Sequence, residues 1–433
     1  MSVDAPSPAR RRGQAATSGR GTNENRLPID LGVTFRDNRN RPVHSWYPYV
    51  EGFSAAYVEG VLAPYNGHNV AVYDPFGGSG TLQSTASWLG INSFYSEVNP
   101  FMRFVAEAKV NATLKAAQNK DVFRCAAKEF LDMLSEKELA HRGRSVDLSQ
   151  YYSAFPGRDF FEEEHIRQLL AACDAARLIG SDYAWVRQLL LLACAANAVH
   201  SSNMTRRADL RRRRQNEYIN RKVDVARFIS DTVQAMLDDV EQVPFGAVAS
   251  HYVSDDCRDL PSRYIDCFDI AITSPPYLNG TNYFRNTKIE LWLLGFLSHE
   301  SELPKFCREA ITAGINNVSG NKALDHHFDV VEDVATKLDD VAPDRRIPKL
   351  VRHYFSDMYE VLTSVRSSLR LGGRFILDIG DSKFYGVHVP VDRILVELGK
   401  QVGFQLHQDV VIARRHSRDK TPLVQVELEF RKA

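Results

Sequence analysis

The chain has 433 residues, 44% of them hydrophobic and 25% charged, with 54 basic residues against 54 acidic ones. That is enough apolar content for one large core with embellishments, and it excludes a disordered or fibrous chain. Because the charges cancel, affinity for a polyanion must come from local patches. No apolar stretch is long enough for a signal peptide or a membrane helix.

Residues 1 to 26 are rich in Ser, Ala, Gly and Arg and include Arg10-Arg11-Arg12. They read as a disordered basic arm. His44-Ser45-Trp46-Tyr47-Pro48-Tyr49 then leads to Glu51-Gly52-Phe53-Ser54 and a helical stretch from Ala55 to Leu62. Trp46 and Phe53 suit either a pocket or an ordinary core.

Asn69 to Tyr73 is short, apolar and β-branched, and Leu82 to Leu89 reads as a helix. Between them lies Asp74-Pro75-Phe76-Gly77-Gly78-Ser79-Gly80-Thr81, a strand-to-helix turn in which glycines let the backbone turn sharply and approach a ligand. The next strand, Ser93 to Ser96, ends in Glu97, where a carboxylate can accept hydrogen bonds from both hydroxyls of a ribose. The loop departs from the Gly-x-Gly-x-x-Gly dinucleotide fingerprint, and no phosphate-loop Lys-Ser/Thr sequence is present.

Residues 116 to 247 carry several helical periodicities and almost no strand pattern, so they are expected to form a helical insertion. Toward its end runs Arg206-Arg207-Ala208-Asp209-Leu210-Arg211-Arg212-Arg213-Arg214. Such a run reads as a phosphate-contacting strip or as a solvated basic helix face. His251-Tyr252-Val253 is the next strand, followed by Ser254-Asp255-Asp256-Cys257-Arg258. The apolar run Phe268 to Ile272 places Ser274-Pro275-Pro276-Tyr277 at a buried strand end, where open α/β sheets put their chemistry.

A second insertion is expected from about 278 to 349. Asp357 to Ser368 reads as a helix ended by Leu371-Gly372-Gly373, then come a strand from Arg374 to Ile379, the turn Gly380-Asp381-Ser382, a helix from Val391 to Val402, and strands near Gln408 to Ala413 and Leu423 to Phe430. The domain pattern is a first catalytic part over 27 to 115, the helical insertion over 116 to 247, and a second catalytic part over 248 to 433.

The Ser-Pro-Pro-Tyr loop and the Asp-Pro-Phe-x-Gly-Ser-Gly-Thr loop together resemble the motifs of the amino-group (N4-cytosine/N6-adenine) site-specific DNA methyltransferases. The resemblance covers about Pro42 to Lys115 and Ala249 to the C-terminus, and only loosely the insertions. It implies an α/β fold with the Rossmann-like class I S-adenosylmethionine-dependent methyltransferase sheet, S-adenosylmethionine as cofactor, no metal, and double-stranded DNA as substrate. By the same resemblance Phe53 and Ser54 close over the methionine end of the cofactor. Asp74 to Thr81 and Glu97 hold its body, and Asp256, with Asp255 as the alternative, accepts the adenine amino group while the Cys257 amide faces a ring nitrogen. In this loop Asp255 stands where the family has glycine and Cys257 where it has a small residue.

An exocyclic amine is a poor nucleophile because its lone pair is delocalised into the ring. The Ser274 hydroxyl and the Pro275 carbonyl are acceptors that would draw the amine toward tetrahedral geometry, with Pro275 and Pro276 stiffening the loop. Tyr277 offers a face on which a flipped base stacks. Ser at the first position of the tetrapeptide, where adenine-specific members more often carry Asp or Asn, points to cytosine N4. Adenine N6 is the alternative, and an RNA guanine-N2 methyltransferase or a catalytically silent DNA-binding protein are more distant ones.

The six cysteines are never preceded by proline and never spaced as Cys-x-x-Cys, which disfavours carbon-5 cytosine methylation and zinc-dependent deamination. The expected setting is the prokaryotic cytoplasm and its nucleoid, with a restriction endonuclease or other defence component as partner. Arg206, Arg207 and Arg211 to Arg214 are the expected DNA contacts.

Overall fold

The computed structural model describes residues 35–49, 52–206, 209–280, 282–318, 323–416 and 420–433. The basic arm expected at 1 to 26, and Arg207, lie outside the described residues. Seven strands make one sheet: β1 (Ala71–Asp74), β2 (Asn92–Tyr95), β3 (Ser250–Tyr252), β4 (Phe268–Thr273), β5 (Leu369–Gly380), β6 (Phe404–His416) and β7 (Pro422–Lys432). Their order is β6-β7-β5-β4-β1-β2-β3, with β1 to β5 mutually parallel and β7 antiparallel to both of its neighbours.

Strand residues alternate between the two faces, as a period of two requires. Val72, Ile270, Ile272 and Ile376 pack on one side with Val58 and Leu82. Those partners come from helices α1 (Ala55–Leu62) and α2 (Thr81–Trp88). Tyr73, Ala271, Phe375 and Leu377 pack on the other side with Met358, Leu362 and Leu395. A third helix, α3 (Pro100–Glu107), follows β2 and is capped by Asn99, whose Oδ1 accepts from the Phe101 and Met102 amides.

The block between β2 and β3 holds α4 (Lys120–Met133), α5 (Glu163–Ile179), α6 (Ala184–Ala196) and α7 (Val225–Val240). The arginine run within it is not helical: Met204–Arg206 and Leu210–Arg212 pair as an antiparallel ribbon. Asp239 of α7 draws in the segment before the catalytic body, accepting from the Val43 amide and Trp46 Nε1, both at 2.7 Å. Trp46 is therefore a buried tether.

The expected second insertion divides between two cores. Phe284, Ile289, Leu291, Leu293 and Leu303 pack with α4, α5 and α6. Ile311, Val331 and Leu338 pack with the sheet. Helix α8 (Arg346–Ser368) begins well before Asp357, and Gly372 and Gly373 lie inside β5 instead of ending the helix. Gly372 has φ +77°, and the pairing of β4 with β5 shifts register across this stretch, so the glycines accommodate a bulge. After β5 the chain forms a small hairpin, Ser382–Phe384 with Val387–Val389, before helix α9 (Val391–Val402).

Candidate active site

The direction of strand succession reverses between β1 and β4, and both proposed loops leave the sheet there. Crevices outside the carboxyl ends of strands at such a switch point are where open α/β sheets bind ligands. The two loops are joined by Thr273, the last residue of β4, whose Oγ1 donates to Asp74 Oδ1 at 2.8 Å. The same carboxylate accepts from the Phe76 amide at 3.0 Å and from Gln83 Nε2 at 3.2 Å. Burial pushes the Asp74 carboxyl up to about 6, against the pull of these three donors. Asp74 thus holds the turn and the neighbouring strand, with its carboxylate consumed inside the protein.

The glycine turn is built for close approach. The Gly77 amide donates to the Ser96 carbonyl and the Ser96 amide to the Asp74 carbonyl, lacing β1 to β2 above the sheet. Gly80 has φ +81°, and a Cβ there would stand 2.9 Å from Ala106 Cα on α3. Gly78 differs: at φ +50°, a Cβ there meets nothing closer than the Phe76 carbonyl at 3.8 Å, so this glycine leaves open space at the turn.

Glu97 faces that turn. Its Oε2 accepts from the Gly78 amide at 2.7 Å and its Oε1 from the Asn99 amide at 2.8 Å. Among the described residues no cation pairs with it, and burial pushes its carboxyl up to about 7. A partly buried carboxylate that is oriented by backbone amides and lacks a counterion is a site for neutral donors, and the two hydroxyls of a ribose are such donors. The residues therefore fit a nucleoside-bearing cofactor.

Other expected cofactor contacts are placed differently. Asp256 is committed to Arg258, which donates to it through Nε and Nη2 at 2.8 to 3.1 Å and bridges on to Asp357 and the Glu309 carbonyl. A carboxylate held by a guanidinium fork is a poor acceptor for an adenine amino group, so Asp256 orders its own loop. Asp255 is exposed and paired with Arg103. Cys257 is buried among sheet-core residues. The Ser54 hydroxyl caps α1 by accepting from the Tyr57 amide at 3.1 Å, and Phe53 is buried beside Val58 and Leu82. Asn38 fixes this entry, donating to the Phe53 carbonyl and accepting from the Ala55 amide.

Ser274, partly buried, follows β4 directly, and Pro275 is buried. The Tyr277 hydroxyl donates to Asp378 Oδ1 at 2.9 Å, and Gln425 Nε2 donates to both. Sequence reasoning missed these two anchors on β5 and β7. A signal existed, because Asp378 interrupts the apolar run Phe375-Ile376-Leu377.

The arginine strip is largely spoken for. Arg206 is partly buried, its guanidinium 2.6 Å from the buried Glu290 carboxylate, and donates to the Asn286 carbonyl. It cannot reach a phosphate, because burying the pair consumes its donors. Arg211 forms a bidentate pair with Glu217, and Arg212 an exposed pair with Asp159 at 2.6 Å. Arg213 is partly buried, and Arg214 is exposed without an ion pair among the described residues.

The strand order, the glycine turn and the amide-held Glu97 carboxylate make a Rossmann-like α/β sheet whose ligand crevice fits a nucleoside-bearing cofactor such as S-adenosylmethionine. No protein-family model matches the chain. It is similar to the Type II methyltransferase M.BsoBI of Geobacillus stearothermophilus, 21% identical over 426 residues that cover 86% of this chain and 81% of the relative. It is also similar to the Type II methyltransferase M.AvaI of Nostoc sp., 22% identical over 418 residues, covering 88% and 83%. Among solved structures, a SAM-dependent methyltransferase from Methanosarcina mazei aligns at 8% identity over 86% of this chain and 96% of its own, with a TM-score of 0.30. The rRNA methyltransferase aviRa from Streptomyces viridochromogenes aligns at 12% identity over 92% and 96%, with a TM-score of 0.28.

Proposed function

We propose that the chain is a site-specific DNA methyltransferase that moves the methyl group of S-adenosylmethionine to the exocyclic N4 of cytosine in double-stranded DNA. One observation carries the reading: the Thr273 to Asp74 hydrogen bond couples the cofactor turn to the Ser-Pro-Pro-Tyr loop across adjacent strands. The likeness of most of the chain to proteins named Type II methyltransferases supports it.

The cofactor supplies an electrophilic methyl on a sulfonium. The rest is positioning by this chain's residues. Glu97 takes the ribose hydroxyls, and Gly78 leaves room for the nucleoside beside the turn. The Ser274 hydroxyl and the Pro275 carbonyl accept from the target amine, localising its lone pair. Tyr277, braced by Asp378 and Gln425, presents its ring to the flipped base. The proton released after transfer passes to solvent. Cytoplasmic action on the nucleoid, beside a restriction endonuclease or defence partner, belongs to the same proposal, as does phosphate contact by Arg212, Arg213 and Arg214.

The test is transfer from labelled S-adenosylmethionine to separate DNA and RNA, followed by hydrolysis to nucleosides. N4-methyldeoxycytidine is expected. N6-methyldeoxyadenosine would replace the target base, and label confined to RNA, or none, would overturn the reading. Ser274→Ala should lower transfer by at least about tenfold and leave cofactor affinity unchanged.

A further inference from the structure

The hairpin after β5 presents a tyrosine that the mechanism above does not use. Its strands, Ser382–Phe384 and Val387–Val389, pair antiparallel and are closed by Tyr385 and Gly386. Both closing residues have positive φ, +47° and +87°. That is the two-residue turn in which Asn or Gly is favoured at the first position. A tyrosine adopts this conformation rarely, and such departures cluster where a side chain is needed for function. The Tyr385 side chain is 55% exposed, whereas Phe384 beside it is 6% exposed and packs in the sheet core. The hairpin is anchored, and its tip is free.

The anchor is the catalytic loop itself. Ser382 Oγ donates to the carbonyl of Leu278, the residue after Tyr277, at 2.5 Å. Tyr385 lies three residues beyond Ser382, a reach of about 10 Å along the strand. That is roughly three stacked nucleotides at about 3.4 Å each.

The flank of the hairpin is basic. The Asp381 amide donates to the Val424 carbonyl at 3.0 Å, and Val424 pairs with Arg414 across β7 and β6, so Arg414 lies level with the root of the hairpin. Lys383 Nζ reaches Thr421 Oγ1 at 2.6 Å, next to Lys420. Arg414 and Lys420 are exposed, and neither has an ion pair among the described residues. An exposed aromatic ring on a hairpin flanked by exposed cations that have no ion pair among the described residues, and tied to the Ser-Pro-Pro-Tyr loop, matches the chemistry of a nucleic acid: phosphates for the cations and a base face for the ring.

We propose that Tyr385 is a wedge that stacks into the DNA duplex beside the flipped base, while Arg414 and Lys420 hold the flanking phosphates. The inference rests on the DNA methyltransferase reading. Flipping leaves a gap in the base stack, and an aromatic side chain entering it offsets the unstacking cost.

The test compares methyl transfer to duplex DNA with transfer to the same DNA heat-denatured, where no stack has to be opened. Tyr385→Ala should lower the duplex-to-denatured activity ratio by about tenfold, and Tyr385→Phe should keep the wild-type ratio. Tyr385→Gly, which suits the positive φ and so rules out a folding defect, should behave like Tyr385→Ala. Replacing Arg414 and Lys420 together should flatten the salt dependence of duplex binding by roughly two phosphate contacts. An unchanged ratio in both the Ala and Gly variants, or a Phe variant as impaired as Ala, overturns the wedge alone. Wild-type protein that labels neither DNA form overturns the methyltransferase reading as well.

Discussion

Tyr277 of the catalytic loop and Asp378 of β5 are joined by a hydrogen bond of 2.9 Å, with Gln425 of β7 donating to both. An acceptor loop on one strand is thus braced by its two neighbours in the sheet. Removing only the hydroxyl, as Tyr277→Phe, should lower kcat/KM by about ten- to hundredfold, the worth of a hydrogen bond to a charged group. Removing the ring, as Tyr277→Ala, should cost more. Steady-state kinetics on duplex DNA checks both, and equal losses would show that the ring itself is idle.

Cofactor binding should depend on pH through Glu97. Burial, with smaller contributions from Asp74 and Asp255, holds its carboxyl up near 7, and the Asn99 and Gly78 amides oppose this. The folded value lies above the unfolded one, so this group's contribution to stability is complete below the ordinary carboxylate range and is lost as pH rises toward 7. Accepting from ribose hydroxyls needs the carboxylate, so cofactor affinity should move the other way and strengthen from pH 6 to pH 8. Calorimetric titration with S-adenosylmethionine should show that slope in the wild type. It should be absent in Glu97→Gln, which should bind at least about tenfold more weakly.

Gly80→Ala should destabilise the protein by about 2–3 kcal/mol, because the new methyl would meet backbone on α3 at a residue already in the left-handed region. Gly78→Ala, with open space around the new Cβ, should cost about 1 kcal/mol. Thermal unfolding without ligand separates the two, and equal losses would remove the packing argument for Gly80.

Two arginines of one sequence run should behave oppositely. Arg206→Met strands the buried Glu290 carboxylate and should cost about 3–5 kcal/mol of stability. Arg214→Ala should leave stability within about 0.5 kcal/mol and lower the salt slope of DNA binding by about one. Denaturant unfolding and salt-dependent binding isotherms read the two effects separately. A stable Arg206→Met that binds DNA poorly would reverse the assignment.

Arg258→Met should also be costly, by about 3 kcal/mol, since Asp357 is 3% exposed on its side chain and loses its cation. The matching loss of stability in Asp357→Asn should be smaller, because a neutral amide remains satisfied more easily than an orphaned charge. Urea denaturation of the two variants gives the comparison.

The sequence alone was sufficient for the local patterns whose physics is short-range. Strand, glycine turn and helix at 71 to 88, the carboxylate after β2, and the tetrapeptide at the end of β4 were legible because alternation and glycine conformation act within a few residues. Helix α1 falls on the residues its periodicity predicted, Ala55–Leu62. The helix expected at Asp357 began eleven residues earlier, at Arg346, because the stretch before it packs against the sheet core, which a loop boundary read from local pattern does not reveal. The parting of residues 278 to 349 between two cores was likewise invisible, since burial depends on partners distant in the chain. Tertiary structure alone decided which charges are free. Asp256 and Arg206 looked like ligand contacts by residue type, yet each is consumed by a partner that folding brings alongside. Tyr277 stood out in the sequence for its ring face, and only the fold shows its hydroxyl held by Asp378 and Gln425. A residue's chemistry is written in the chain, but its availability follows from desolvation and pairing, which exist only once the sheet has closed.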